Sequence, residues 1–445
     1  MNQAHWLLLL VVFASGCAST GASRFQPVSD YQMLDIHKNV SYEQYQQQVT
    51  KALEQNWTEL SMPDADYPWL GRSQVHELVE AHTPTNNKAK GCKSGQQKPR
   101  AMLLVHGLYD SPRVMRDLEE YFNNRCFHTR SILLPGHGTR PGSLLNISYQ
   151  AWNSVVEHAI EQFSKENKGD IYITGFSTGG ALAIKNALDH KDKVKGVFLF
   201  APALKVKYGL ASMLDKLGMD WVPFQIFGDT DLIKYESMTL DSVIAVGKLA
   251  DEVRTRLNNE NTQIDIPVML VIAKNDYTIK TDTAIQLYEQ GKFGNKSDML
   301  IYAPIMVGDK CVKGLLQGDA ASMPKIPTYM SSCFVHREAG NEYMIADYSH
   351  MALSLKSTDA HYGLQGDYKY CTQYFHNEEL ETQCKCKGNS ISDICFGERK
   401  VFGSHEYPQC NKPGLIVRRL TSNPQFQQMI QYLDQFIRRY IDKNI

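Results

Sequence analysis

The segment Ile171-Tyr172-Ile173-Thr174-Gly175-Phe176-Ser177-Thr178-Gly179-Gly180 decides the reading of this chain. Residues 171–174 have the short, continuous, β-favouring character of a strand buried on both faces, and the helix-prone run 180–188 follows at once. Between them stands Gly-x-Ser-x-Gly. In a strand–turn–helix setting this pattern makes a nucleophile elbow, because flanking glycines let the backbone turn sharply and let the helix approach the sheet. The Ser177 hydroxyl is then exposed at the strand's carboxyl end. The competing reading of the same residues is a glycine-rich turn with a helix-capping serine.

A serine hydroxyl is a weak nucleophile near neutral pH, so it needs a histidine base, and that imidazole needs an acid to fix its tautomer. Asp276 stands just past the apolar run 268–273, in Lys274-Asn275-Asp276, and His350 follows the run 343–346 in Asp347-Tyr348-Ser349-His350-Met351. The order Ser177, Asp276, His350 matches one known order of a nucleophile–acid–base triad. Asp282, Asp347, His336 and His361 are the alternatives, and no acid follows the run 197–201 until Asp215. The developing oxyanion needs two backbone donors. Thr178 N–H, directly after the nucleophile, is one. Leu108 N–H, in His106-Gly107-Leu108-Tyr109-Asp110 after the run 101–105, is the other, with His106 read as a brace for that loop.

Outward from this centre, short apolar runs at 101–105, 131–134, 171–174, 197–201 and 268–273 alternate with helical stretches, the mark of β–α units and a parallel sheet. A last strand is expected at 343–346. Phe426, Met429, Ile430, Leu433, Phe436, Ile437, Tyr440 and Ile441 trace one face of a closing helix. Near the front, Ser41 and Gln44 form a capping-box pair ahead of Tyr42, Tyr45, Val49, Leu53, Trp57 and Leu60. The fold class is therefore α/β, a mostly parallel central sheet flanked by helices. Residues 205–264 are expected to form a lid whose first half is apolar and aromatic, and residues 306–335 and 357–423 to be insertions.

Leu103-Leu104-Val105-His106-Gly107-Leu108, Ser111-Pro112, Leu134-Pro135-Gly136-His137-Gly138-Thr139-Arg140-Pro141, Trp152 and residues 175–180 together resemble the carboxylesterases and monoacylglycerol lipases of the α/β-hydrolase fold, also described as serine-aminopeptidase-like hydrolases. The resemblance is dense over 100–203 and resumes at 266–279 and around His350. It implies a domain spanning 100–445, a triad of Ser177, Asp276 and His350, and oxyanion donors at Leu108 and Thr178. Thr178 stands where many relatives have Met, and the stretch from Asp276 to His350 is lengthened by the 311–333 segment.

Forty-seven Lys and Arg against 48 Asp and Glu in 445 residues give a net charge of −1, which offers no basic field for nucleic acid. The longest apolar run, 6–14, is far short of the roughly 20 residues that cross a bilayer. It has the length of a signal-peptide core and ends in Ala14-Ser15-Gly16 before Cys17. This resembles a bacterial lipoprotein signal, which implies removal of 1–16, a lipid on Cys17, and a tether and N-terminal extension over 17–99. A plainly cleaved secretory signal and an uncleaved apolar terminus are the alternatives.

Beyond Cys17 nine cysteines remain, at 92, 126, 311, 333, 371, 384, 386, 395 and 410. Export permits disulfides, and these are expected to brace the insertions. Cys384-Lys385-Cys386 has the wrong spacing for a structural zinc pair. The expectation is an exported, lipid-anchored serine esterase that meets acyl esters at a cell-envelope membrane, facing the periplasm or outside, without metal or organic cofactor. An aminopeptidase or amidase of the same fold is one rival. An inactive hydrolase fold serving as an envelope binding protein is the other.

Overall fold

The computed structural model describes residues 22–28, 40–92, 99–166, 169–207, 224–225, 229, 231–276, 278–307, 310–311, 315–318, 325–332, 334–338, 341–363, 366, 368 and 416–442. The signal, Cys17, most of the apolar first half of the lid and the cysteine cluster 371–410 lie outside the described residues.

The apolar runs become the inner strands of one sheet. Its members are β1 (Thr85–Asn87), β2 (Arg100–Val105), β3 (Phe127–Ile132), β4 (Ile171–Phe176), β5 (Val194–Phe200), β6 (Val268–Ala273), β7 (Ser297–Ala303), β8 (Leu315–Leu316) and β9 (Thr328–Ser331). Their order is β1-β3-β2-β4-β5-β6-β7-β9-β8. The pairs from β3 through β9 are parallel, while β1 and β8 close the edges antiparallel.

From β2 the chain steps outward to β3, then returns past β2 to β4 and continues through β5, β6 and β7. With right-handed crossovers, this reversal puts α3 (Arg116–Asn123) on one face and α4 (Tyr149–Lys165), α5 (Thr178–Asp189) and α6 (Leu240–Asn258) on the other. Accordingly α4, α5 and α6 pack on one another. On the opposite face Phe198 of β5 meets Phe122 of α3 at 4.8 Å and Phe436 of α7 (Phe426–Tyr440) at 5.5 Å. The carboxyl ends of β2 and β4 flank the switch point, where an open α/β sheet has its crevice.

The N-terminal extension is built into the body. Ser41 and Gln44 cap α1 (Tyr42–Leu60) reciprocally, as read. Tyr42 and Tyr45 hydroxyls donate to the carbonyls of Ser131 and Leu133 at 2.7 and 3.0 Å, and Trp57 Nε1 donates to Gly138 O at 3.0 Å. Helix α2 (Arg72–His82) packs beside α1. Even Ser23–Phe25, inside the expected tether, makes a short helical turn with Phe25 buried.

Other expectations shift. Strand β3 starts at Phe127 rather than Ser131, and its polar residues are buried because each is paired. Arg130 Nη2 donates to both carboxylate oxygens of Glu166, and the guanidinium lies over the rings of Tyr42 and Phe163. Strand β9 lies within the segment read as the 306–335 insertion, and with β7 it extends the central sheet. The run 343–346 belongs to β11 (Asn341–Tyr348), which pairs with β10 (Phe334–Glu338) and β12 (Ile416–Leu420) in a separate sheet, so it is not the last central strand. The second half of the lid segment is α6, the crossover helix before β6, with Ala245, Val246, Leu249, Val253 and Leu257 buried. Cys92 and Cys126 form a disulfide. Among the described residues no helix is long and apolar enough to cross a membrane.

Candidate active site

Strand β4 ends at Phe176 and α5 begins at Thr178, so Ser177 alone makes the turn. Its φ of 52° and ψ of −114° are costly for a residue with a Cβ, on the order of 1–3 kcal/mol. Tertiary bonds hold it there. Ser177 N–H donates to Phe200 O, and Ser177 O accepts from the N–H groups of Gly180 and Ala203, each at 2.9 Å. The flanking glycines are sterically required: a Cβ at 175 would sit 2.3 Å from Gly179 O, and one at 179 would sit 2.1 Å from Val105 O.

The loop after β6 and a short turn at His350–Ser354 meet this serine. Ser177 Oγ lies 2.7 Å from His350 Nε2, and His350 Nδ1 lies 2.5 Å from Asp276 Oδ2. With the proton on Nδ1, the imidazole donates to Asp276 and accepts from Ser177. Asp276 is buried, and its Oδ1 accepts from Thr278 N–H at 2.7 Å and Ile279 N–H at 3.0 Å. Burial pushes this carboxyl up, but His350 and the backbone donors outweigh it and hold the group below the ordinary carboxylate value. Lys207 Nζ donates to the Asp276 carbonyl, and Val206 bridges to Ile279, so the start of the lid segment is tied to the Asp276 loop.

The alternatives stand elsewhere. Asp282 is exposed and pairs with Lys274, and His361 pairs with Asp231. The side chains of His336 and Asp347, and Asp215, lie outside the described residues.

A family model, Hydrolase_4, described as serine aminopeptidase, S33, matches residues 96–302, the stretch that carries β2 through β7 and both Ser177 and Asp276. The chain has the α/β-hydrolase fold. It is 24% identical over 200 residues to a thermostable monoacylglycerol lipase of Bacillus sp. (strain H-257), covering 43% of this chain and 76% of that protein. It is also 24% identical over 205 residues to a carboxylesterase of Bacillus subtilis (strain 168), covering 44% and 80%. The structure of a soluble variant of monoglyceride lipase from Saccharomyces cerevisiae aligns with a TM-score of 0.41 and 14% identity over 49% of this chain and 82% of that one.

In this α/β-hydrolase, β2 and β4 pair through Val105 and Gly175, and Leu108 and Thr178 each follow three residues later at neighbouring strand ends. Gly107 is pressed against the end of β4, since a Cβ there would lie 2.9 Å from the Phe176 ring. His106 braces this loop. Leu134 N–H donates to His106 Nε2 at 3.0 Å, which leaves Nδ1 to donate to Gly107 O at 2.7 Å. Burial pushes the His106 ring well below the usual histidine value, so it stays neutral.

Two neighbours of the site were not singled out from sequence. Asp110, in the same loop, is buried, and burial raises its carboxyl to about 6 despite the opposing charges of Lys234 and His350. Lys207 is the other. Asp110 carried a visible hint, a carboxylate two residues past the expected oxyanion donor Leu108. Lys207 carried none, because its reach to Asp276 depends on the bridge between two segments about seventy residues apart in sequence. Among the described residues no three His, Cys, Asp or Glu side chains gather as metal ligands.

Proposed function

We propose that this hydrolase is a serine esterase that cleaves carboxylic esters through an acyl-enzyme. The observation that carries the reading is the continuous hydrogen-bonded series Ser177 Oγ, His350, Asp276 at the crevice of the sheet. As an ester carbonyl enters, Ser177 Oγ attacks its carbon while the hydroxyl proton passes to His350 Nε2. Asp276 stabilises the imidazolium and keeps its ring oriented. The oxyanion takes the N–H groups of Leu108 and Thr178, where each donor is worth roughly 3 kcal/mol in comparable sites. Collapse expels the alcohol, which leaves with the proton from His350. Water then gives a proton to His350 and attacks the acyl carbon, and the acid departs as Ser177 recovers its hydrogen. No step calls for a metal or organic cofactor.

The relatives named as a monoacylglycerol lipase and a carboxylesterase favour an ester over an amide, and within esters a monoacylglycerol, lysophospholipid or short-chain ester. The apolar run 6–14 and the small residues before Cys17 support export, removal of 1–16 and a lipid on Cys17, which places the enzyme on a membrane of the cell envelope, facing the periplasm or outside.

A fluorophosphonate probe tests the chemistry. The folded wild type is expected to label and Ser177→Ala to stay unlabelled; a folded but unlabelled wild type overturns the proposal. A chromogenic ester panel of graded chain length, run beside aminoacyl amides, reads the acyl preference, and faster turnover of the amides would make it an aminopeptidase. Metabolic incorporation of palmitate, lost in Cys17→Ser, tests the anchor.

A further inference from the structure

Ala22, the first described residue, lies five positions past Cys17. Five residues of fully extended chain span at most about 17 Å, so a lipid on Cys17 keeps the bilayer surface within that reach of Ala22. The chain is pinned at this point. Ser23 Oγ and Arg24 N–H both donate to Asp66 Oδ2 at 2.6 Å. The backbone of Phe25 and Gln26 lies against Gly142, leaving no room for a side chain there.

Asp66 sits in the loop between α1 and α2, and that loop presents Met62 and Trp69 to solvent at 53% and 66% exposure. The same loop buries Tyr67 and Leu70 in the core, and this holds Met62 and Trp69 outward at its surface. The Tyr67 ring supports Trp69 edge-on at 5.5 Å. Tryptophan is the residue most at home in the headgroup layer of a bilayer.

The same pin reaches the lid segment. Arg24 Nε pairs with Asp229 at 3.2 Å, and Asp229 in turn accepts from the N–H groups of Glu236 and Ser237. Next to them, Tyr235 N–H donates to Tyr109 O in the loop that carries Leu108. A continuous series of contacts therefore links the anchor exit, the loop that carries Trp69, the lid segment and the oxyanion loop.

We propose that the Met62–Trp69 loop is a membrane-docking surface: it rests in the interfacial layer of the bilayer that holds the Cys17 lipid and turns the lid side of the crevice toward the source of an apolar ester. This rests on the lipid-anchor and esterase readings above. The bilayer is the occupant rather than a partner protein because the tether leaves a gap of at most about 17 Å at this spot, too thin for a folded domain.

The test uses the lipidated full chain in phosphatidylcholine vesicles whose acyl chains carry bromine close to the headgroup. Wild-type tryptophan fluorescence is expected to be quenched more than that of Trp69→Phe, the difference isolating Trp69 from the other tryptophans. Met62→Ser/Trp69→Ser is expected to turn over vesicle-borne monoacylglycerol roughly tenfold more slowly, as loss of two interfacial apolar contacts predicts, with soluble short-chain ester turnover unchanged. Vesicle flotation with identical quenching in wild type and Trp69→Phe overturns the docking surface and leaves the anchor standing. Failure of the wild type to float, with Cys17→Ser behaving alike, removes the anchor reading and this proposal with it. Shielding of Trp69 without vesicles, in a sedimenting dimer, assigns the face to a second copy and overturns it as well.

Discussion

At the scale of single residues, Asp276 shows how the site divides its work. One carboxylate oxygen takes two backbone N–H groups and the other takes the His350 ring. In Asp276→Asn the amide oxygen would keep the two backbone donors, which leaves the NH2 facing His350 Nδ1. That arrangement forces the ring proton onto Nε2, where it can no longer accept from Ser177. We expect kcat on a soluble ester to fall by roughly 10³–10⁴-fold with a melting temperature close to wild type; a variant retaining a tenth of the activity would remove Asp276 from the acid's role. Ser177→Ala, measured in the same assay, is expected to lose about 10³-fold or more. That Ser177, Asp276 and His350 could meet was legible in sequence because a serine in a strand–turn–helix elbow calls for a histidine and an acid further along the chain. Asp110 and Lys207 were not, because only the folded loops bring them to the site.

Among the elements, those read correctly are the ones whose burial is achieved by apolar side chains alone. Strands β2, β4, β5 and β6 each contain the expected apolar run, with β5 starting three residues earlier, at Val194. Strand β3 was misplaced because Thr129, Arg130 and Ser131 are buried by pairing, which composition cannot reveal. Strand β7 opens on Ser297 and Asp298, and both are buried against Lys325 and Arg439, residues far along the chain. The disulfide belongs to this scale too. Cys92 and Cys126 are 34 residues apart and enclose β2 and α3, while Cys126 N–H and Lys90 O already bond at 2.8 Å. Because closure of a loop this size removes unfolded-chain entropy worth about 2–4 kcal/mol, Cys92→Ser/Cys126→Ser is expected to lose that much in urea unfolding. Reductant would lower wild-type stability toward the variant and leave the variant unmoved. Equal stabilities with and without reductant would mean that the bridge adds nothing to the fold.

For the molecule as a whole, the surprise is that the N-terminal extension is part of the core rather than an appendage, with the rings of Tyr42, Tyr45 and Trp57 reaching across to the backbone around β3. That union buries ionisable groups, and they set how stability depends on pH. Burial pushes His82 and His137 down to about 4, and it holds His106 well below the usual histidine value as well. Below pH 6.5 the unfolded chain takes up protons at these rings that the folded chain refuses, until about pH 4 for His82 and His137, so stability is full above 6.5 and falls on acidification. Each of the first two rings contributes about 3 kcal/mol across that window. Asp110 runs the other way. Its folded carboxyl, raised to about 6, binds a proton before the unfolded one does, so its contribution is complete below about pH 3.9 and lost as pH rises through 6. The rings outweigh it, and urea unfolding is expected to give a lower stability at pH 4.5 than at pH 7.5. Asp110→Asn removes the opposing group alone. At pH 7.5 it relieves a buried charge and gains up to about 3 kcal/mol over wild type; near pH 4 that advantage vanishes because the wild-type carboxyl is then neutral as well. An advantage that stayed constant from pH 7.5 to 4 would show that Asp110 does not titrate in the folded protein, and the acid sensitivity would then rest on the histidines alone.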